Sequence, residues 1–274
     1  MTTTDIEILL NQHSIKYECS VPLSEKTWIH RGGTAAYYIT PVDINELVKV
    51  CQWCYDHHRN FKIFGHTSNI YVRKTTNLNY VINTNKLTSY REHLEYFECD
   101  CGVHTASLAK YAISMGCSGY EGLVNLPGTI ASAIVNNSGC FGCCVSQLLI
   151  KAEIMLPDGQ IQEWRPLDFA FSERSSIIKE GIKEGVILRV WLRKEQNESP
   201  NILLQKAQLN SDYRKTYQEG ASANLGSIFP NFVMRAFFHG LPTWQRICII
   251  GISKLCKLVK INSTPYIRDF VICA

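Results

Sequence analysis

Between Gly220 and Arg268 the chain carries no aspartate or glutamate. The basic residues Arg235, Arg246, Lys254, Lys257, Lys260 and Arg268 stand there, interleaved with Phe237, Phe238, Trp244, Ile247, Ile250, Leu255 and Leu258. Such a pattern fits a packed helix whose basic side chains snorkel to water, which is the preferred reading. It also fits a basic amphipathic segment that touches an anionic membrane or a protein partner.

Other absences narrow the class. No apolar run is long enough to cross a bilayer. The start, Met1-Thr-Thr-Thr-Asp5-Ile-Glu7, is polar and acidic, unlike a secretory signal. No internal repeat or low-complexity tract interrupts the chain. A formal net charge of +4 over 274 residues is too small to argue for nucleic acid. With 46% hydrophobic and 19% charged residues, the expectation is a folded, soluble, cytoplasmic protein.

Cysteine, in contrast, is abundant, with 12 in the chain. Reduced thiols are expected in a cytosol. The spacings Cys51-x-x-Cys54, Cys99-x-Cys101 and Cys140-x-x-Cys143-Cys144 lack partner pairs at zinc-ribbon distance. They read as small hydrophobes rather than ligands, and no metal is expected.

The most distinctive stretch runs from Gly116 to Gly142 and is dense in Gly, Asn, Ser and Pro. Pro127-Gly128 requires a turn, and Thr129 stands where a helix N-cap would. Free backbone N–H groups at such a turn suit a diphosphate. A plain glycine-rich connector would share the composition. A second loop, Gly65-His66-Thr67-Ser68-Asn69, follows Phe61-Lys-Ile-Phe64 and precedes Ile70-Tyr-Val72. It reads as strand, small-polar loop, strand, suited to phosphate oxygens or to a simple hairpin.

The order Gly-Tyr-Glu-Gly-Leu, Leu-Pro-Gly-Thr-Ile, Asn-Asn-Ser-Gly-Cys-Phe-Gly resembles the FAD-binding core of UDP-N-acetylenolpyruvoylglucosamine reductases. The Gly65–Asn69 loop is similar to that family's G-x-G-S-N pyrophosphate loop, with Thr67 in place of the second Gly. Asn125-Leu126 stands for the family's Gly-Ile, and Ala131-Ser132 for its Gly pair. The resemblance implies an α+β, two-subdomain FAD-binding fold of the PCMH (vanillyl-alcohol-oxidase-like) type. An FAD-binding domain would span 1–194, with subdomains of about 1–88 and 89–194. A shortened C-terminal substrate segment would span 202–274. FAD is expected to be noncovalent, held by Gly65, His66, Thr67, Ser68, Asn69, Asn125, Pro127, Gly128, Thr129, Ser132, Asn137 and Gly139. NADPH is the implied co-substrate, a UDP-sugar the substrate, a bacterial cytoplasm the setting, and a monomer the expected state.

Two further segments carry the implied chemistry. Phe171-Ser-Glu173-Arg174-Ser175-Ser176 resembles the family's F-x-Y-R-x-S, which puts Arg174 on its catalytic Arg and Glu173 on its Tyr. An Arg there would hold the substrate carboxylate and stabilise an enolate. Gly226-Ser227-Ile-Phe229-Pro230-Asn231 resembles G-S-x-F-K-N-P, which makes Ser227 the proton donor. The family's terminal catalytic Glu has no counterpart here. A non-catalytic or other-substrate FAD-binding relative is the alternative.

The remaining pattern predicts elements. Residues 1–20 read as a short helix and a lead-in, and Ile29 to Ile39 as a turn and a strand. Asp43 caps a helix with Glu46 at capping-box spacing. Strands are expected at Tyr80–Asn83, Leu94–Cys101 and Val186–Leu192. Ile150–Leu156 and Gln160–Trp164 form a hairpin about Asp158-Gly159. Helices are expected at Ser107–Met115, with Leu108, Tyr111 and Ala112 on one face, and at 202–219.

Overall fold

The computed structural model describes residues 4–217 and residue 225. Two compact units divide the chain, Met1–Ala207 and Gln208–Ala274. The first begins with α1 (Asp5–Gln12), where the Glu7 carboxylate accepts from the Thr4 N–H at 2.9 Å. Next comes β1 (Lys16–Pro22), where the sequence reading had only a lead-in. Its exposed, polar-rich run hides the strand, because β1 is an edge strand with little to bury.

β2 (Thr34–Thr40) leads into α2 (Ile44–Asp56). The Asp43 side chain accepts from the Glu46 N–H at 2.8 Å, which satisfies one of the orphan donors of the first turn. The Glu46 carboxylate reaches back one residue further than a strict capping box, to the Val42 N–H. β3 (Phe61–Phe64) and β4 (Asn77–Asn83) complete a sheet of order β1-β2-β4-β3. β3 and β4 run parallel, so the Gly65–Asn69 loop opens a crossover and is not a hairpin turn. No strand forms at 70–72, and Val72 instead tucks into the core beside Phe64 and Val81.

The second sheet, β10-β9-β11-β6-β5, is antiparallel throughout. β5 (Tyr90–Glu92) and β6 (Tyr96–Asp100) precede α3 (Thr105–Ser114), and α4 (Ile130–Val135) follows. A small hairpin, β7 (Gly139–Cys140) with β8 (Cys143–Cys144), turns through Phe141 and Gly142, both at positive φ. After α5 (Val145–Leu148) come β9 (Leu149–Met155), β10 (Ile161–Trp164), β11 (Val186–Arg193) and α6 (Pro200–Tyr217). β9 and β10 pair about the expected Asp158-Gly159 turn.

One core joins the sheets. Leu47, Val50 and Cys51 of α2 pack with Ile39 and Ile82 of the first sheet and with Met155, Val186 and Leu188 of the second. Leu47 is fully buried, so Leu47→Ala would cost roughly 2–5 kcal/mol. Cys51, Cys54, Cys99 and Cys101 are likewise fully buried, with Cys51, Cys99 and Cys101 in the apolar cores, as small hydrophobes would be. A second core gathers α3 and α4 against β6, β9 and β11. On α3 the buried face is Leu108, Ala109, Ala112 and Ile113, while Tyr111 is half-exposed and donates its hydroxyl to Glu92.

Candidate functional site

The two loops singled out in the sequence lie against one another. A Cβ on Gly65 would sit 2.8 Å from Thr129 Oγ1. One on Gly128 would sit 3.0 Å from Ser132 Oγ and 3.5 Å from Ser68 Oγ. Gly128 also has φ +113°, a conformation that side chains resist. The close approach therefore depends on both glycines. Asn83, at the end of β4, donates to the Gly65 carbonyl at 3.3 Å and steadies the loop from beneath.

Thr129 caps α4 as expected. Its hydroxyl accepts from the Ser132 N–H, and Ser132 Oγ accepts in turn from the Thr129 N–H at 3.1 Å. Ser132 thus stands where a second glycine was expected and uses its hydroxyl to satisfy the cap. Thr67 makes a similar accommodation. It keeps φ +55° although it is β-branched, and its buried Oγ1 accepts from the Trp28 N–H at 2.8 Å.

This packing leaves a row of donors. The backbone N–H groups of His66, Thr67, Ser68, Asn69 and Gly128 find no acceptor among the described residues. The Thr105 hydroxyl, at the start of α3 and beside Gly128, is buried without a hydrogen-bond partner there. Unpaired N–H groups on two touching loops suit an anion, and the residues present fit a bridging diphosphate. His66 and His104 flank it with ring centroids 5.0 Å apart. Burial lowers the His66 pKa first and the proximity of His104 lowers it further. His104 is lowered by burial and then by Lys110.

The Arg174 segment is a tight turn. Ser172 and Ser175 exchange backbone hydrogen bonds of 3.1 and 3.3 Å, with Glu173 and Arg174 at the exposed tip and Arg174 at φ +59°. Two contacts hold it to the end of α4. Asn137 Nδ2 donates to the Ser172 carbonyl at 2.8 Å, and Ser176 Oγ donates to the Val135 carbonyl at 2.7 Å. Lys179 Nζ donates to the Arg174 carbonyl at 2.6 Å. One short helix thus carries the phosphate-suited loop at its start and the arginine turn at its end.

Asn125 and Leu126 lie half-buried before the exposed Pro127. Gly139 is pinned under β8, where a Cβ would meet the Cys143 carbonyl at 2.4 Å. Ser227, the rest of its Gly226–Asn231 segment and the basic apolar stretch from Arg235 onward lie outside the described residues. Cys144 and Ser172 escaped the sequence reading, because nothing in their neighbours announces a contact to Asn137.

An FAD binding domain model matches residues 35–165. The UDP-N-acetylenolpyruvoylglucosamine reductase of Bacillus licheniformis is 32% identical over 214 residues, covering 77% of this chain and 69% of that one. Its counterpart in Bacillus pumilus is 30% identical with the same coverage. The chain belongs to the UDP-N-acetylenolpyruvoylglucosamine reductase family. A crystal structure of the Thermus caldophilus reductase superposes with a TM-score of 0.64 at 23% identity, covering 79% of this chain and 75% of that one. Berberine bridge enzyme superposes at 0.52 with 11% identity, over 70% of this chain and 43% of its own. The fold is α+β, an FAD-binding fold of the PCMH type, and FAD is its cofactor. Among the described residues no helix is long and apolar enough to cross a membrane.

Proposed function

We propose that the chain is an oxidoreductase that reduces the enolpyruvyl ether of a UDP-sugar, with NADPH as co-substrate, in a bacterial cytoplasm. The observation that carries this reading is the arginine turn fastened to the helix whose start forms the diphosphate cradle. A domain of 1–194 would hold the cofactor, and a segment of 202–274 would complete the substrate side. Bound FAD, noncovalent, would relay hydride from NADPH to the enolpyruvyl methylene carbon.

The chain's own groups would do the rest. N–H groups of Gly65 to Asn69 and of Gly128 would hold the diphosphate, with Thr129 and Ser132 fixing the helix start. Arg174 would pair with the substrate carboxylate through two parallel N–H bonds. Hydride addition leaves negative charge on the carboxylate side, and the same guanidinium would stabilise it. Ser227 would then deliver a proton to the α carbon. A serine hydroxyl is a weak acid, so its proton transfer depends on close placement and on the adjacent enolate charge.

A second reading is a binding protein of the same fold. The absence of any Asp or Glu between Gly220 and Arg268 favours it, since the family's third catalytic residue is a Glu. The test is an absorption spectrum of the purified protein, followed by anaerobic NADPH and then the enolpyruvyl UDP-sugar. The reductase reading expects flavin bands, bleaching, and reoxidation on adding the sugar nucleotide. A bleached flavin that the sugar nucleotide never reoxidises would leave the binding-protein reading in place.

A further inference from the structure

Asn137 sits at positive φ, its side chain is nine-tenths buried, and both ends of its amide are engaged by the protein itself. The Ser172 carbonyl can only accept, so the NH2 end must face it. The amide oxygen therefore faces Cys144, whose thiol donates to it at 2.8 Å. Ser146 Oγ donates in turn to Cys144 Sγ at 3.4 Å. The result is a relay from Ser146 through Cys144 and Asn137 to Ser172, in which each donor polarises the next. Its last member is the base of the turn that carries Arg174.

We propose that Cys144 is a positioning residue. Its thiol fixes the orientation of the Asn137 amide, and Asn137 thereby holds the Arg174 turn in register with the cofactor cradle. In this role Asn137 acts on the turn rather than on the cofactor directly. The proposal rests on the reading of Arg174 as the carboxylate-binding residue. Without the thiol, the amide oxygen loses its donor, and the amide is free to rotate away from Ser172.

The test compares the FAD-loaded wild type with Cys144→Ala, Cys144→Ser and Asn137→Asp. One measurement is amide hydrogen exchange at Ser172 and Ser175. The other is the dissociation constant of the enolpyruvyl UDP-sugar, set beside that of FAD. Cys144→Ala is expected to speed exchange at both amides by about tenfold and to weaken the sugar nucleotide by a similar factor, the scale of one lost part-buried hydrogen bond. FAD affinity should hold within about twofold, because the cradle donors lie at the other end of α4. Cys144→Ser supplies an O–H in place of the S–H and should restore both values. Asn137→Asp keeps the acceptor but removes the donor to Ser172, so it should match or exceed Cys144→Ala.

Unchanged exchange at Ser172 and Ser175 in Cys144→Ala would overturn the proposal. So would equal loss of FAD and sugar-nucleotide affinity, which would mark a general packing defect. If exchange responds as expected but the wild type binds no sugar nucleotide, the relay stands and the substrate reading fails.

Discussion

The two ends of α4 are built on different principles. At its start, the cradle is made of backbone: N–H groups of two loops held close by Gly65 and Gly128. Thr67 and Ser132 replace expected glycines there, yet Thr67 keeps the glycine-like φ and Ser132 caps the helix. At its end, the Arg174 turn is held by side chains: Asn137, Ser176 and Lys179, with Cys144 behind Asn137. A backbone-built site tolerates changes of identity so long as φ and spacing survive. A side-chain-built site depends on each donor and acceptor.

The largest expected effects come from removing the chemistry while keeping the cofactor. Ser227→Ala is expected to leave FAD content and NADPH bleaching intact. It should slow reoxidation by the enolpyruvyl UDP-sugar by roughly a hundred- to ten-thousandfold, the range for a positioned acid. Arg174→Ala should slow the same step by about a hundred- to a thousandfold and also weaken the substrate. Rapid-mixing spectra of the two half-reactions measure both. A reoxidation rate equal to wild type in Ser227→Ala would reduce that residue to a turn serine.

The opposite cut falls on the cradle. Gly128→Val puts a β-branched side chain at φ +113° with its Cβ 3.0 Å from Ser132 Oγ. The strain is about 1–3 kcal/mol, and relieving it moves the loop that carries the donors. Purified Gly128→Val should retain far less flavin than Arg174→Ala, read as the ratio of flavin to protein absorbance. Equal retention in the two variants would break the distinction between the ends.

A smaller effect follows pH. His66 and His104 both have folded pKa values below the usual 6.5, first through burial. The neutral forms are therefore favoured on folding. Their contribution is present in full above 6.5, and it is lost as pH falls from there through the lowered folded values. The urea midpoint should decline between pH 7.5 and pH 5. His104→Asn removes one titrating ring and keeps an N-cap acceptor for α3, so it should flatten part of the decline.

Sequence legibility followed the same divide. The Thr129 and Asp43 caps, the Asp158-Gly159 hairpin and the Pro127-Gly128 turn could be read because local chemistry dictates them. β1 could not, since an edge strand with polar residues carries little pattern. The β7–β8 turn was missed because Phe141 takes a positive φ that sequence rules reserve for Asn, Asp or Gly. The Asn137–Ser172 contact joins residues 35 apart in the chain, and no local pattern encodes it.

The finest test of a backbone-built cradle is Thr67→Gly, which restores the expected glycine. Two effects oppose each other. A β-branched residue at φ +55° carries a penalty of roughly 1–2 kcal/mol that glycine escapes. The substitution also strips the acceptor from the Trp28 N–H, a part-buried donor, at about 1–3 kcal/mol, and adds about 0.5–1 kcal/mol of unfolded-chain entropy. The sum is a modest net destabilisation. Thr67→Val keeps the strain and loses the acceptor, so it should be the less stable of the two in urea titration. FAD content should follow φ rather than side chain, and Thr67→Gly should therefore stay close to wild type. If Thr67→Gly loses its flavin while Thr67→Val keeps it, the Thr67 methyl rather than the loop backbone shapes the cradle, and the contrast between the two ends of α4 fails.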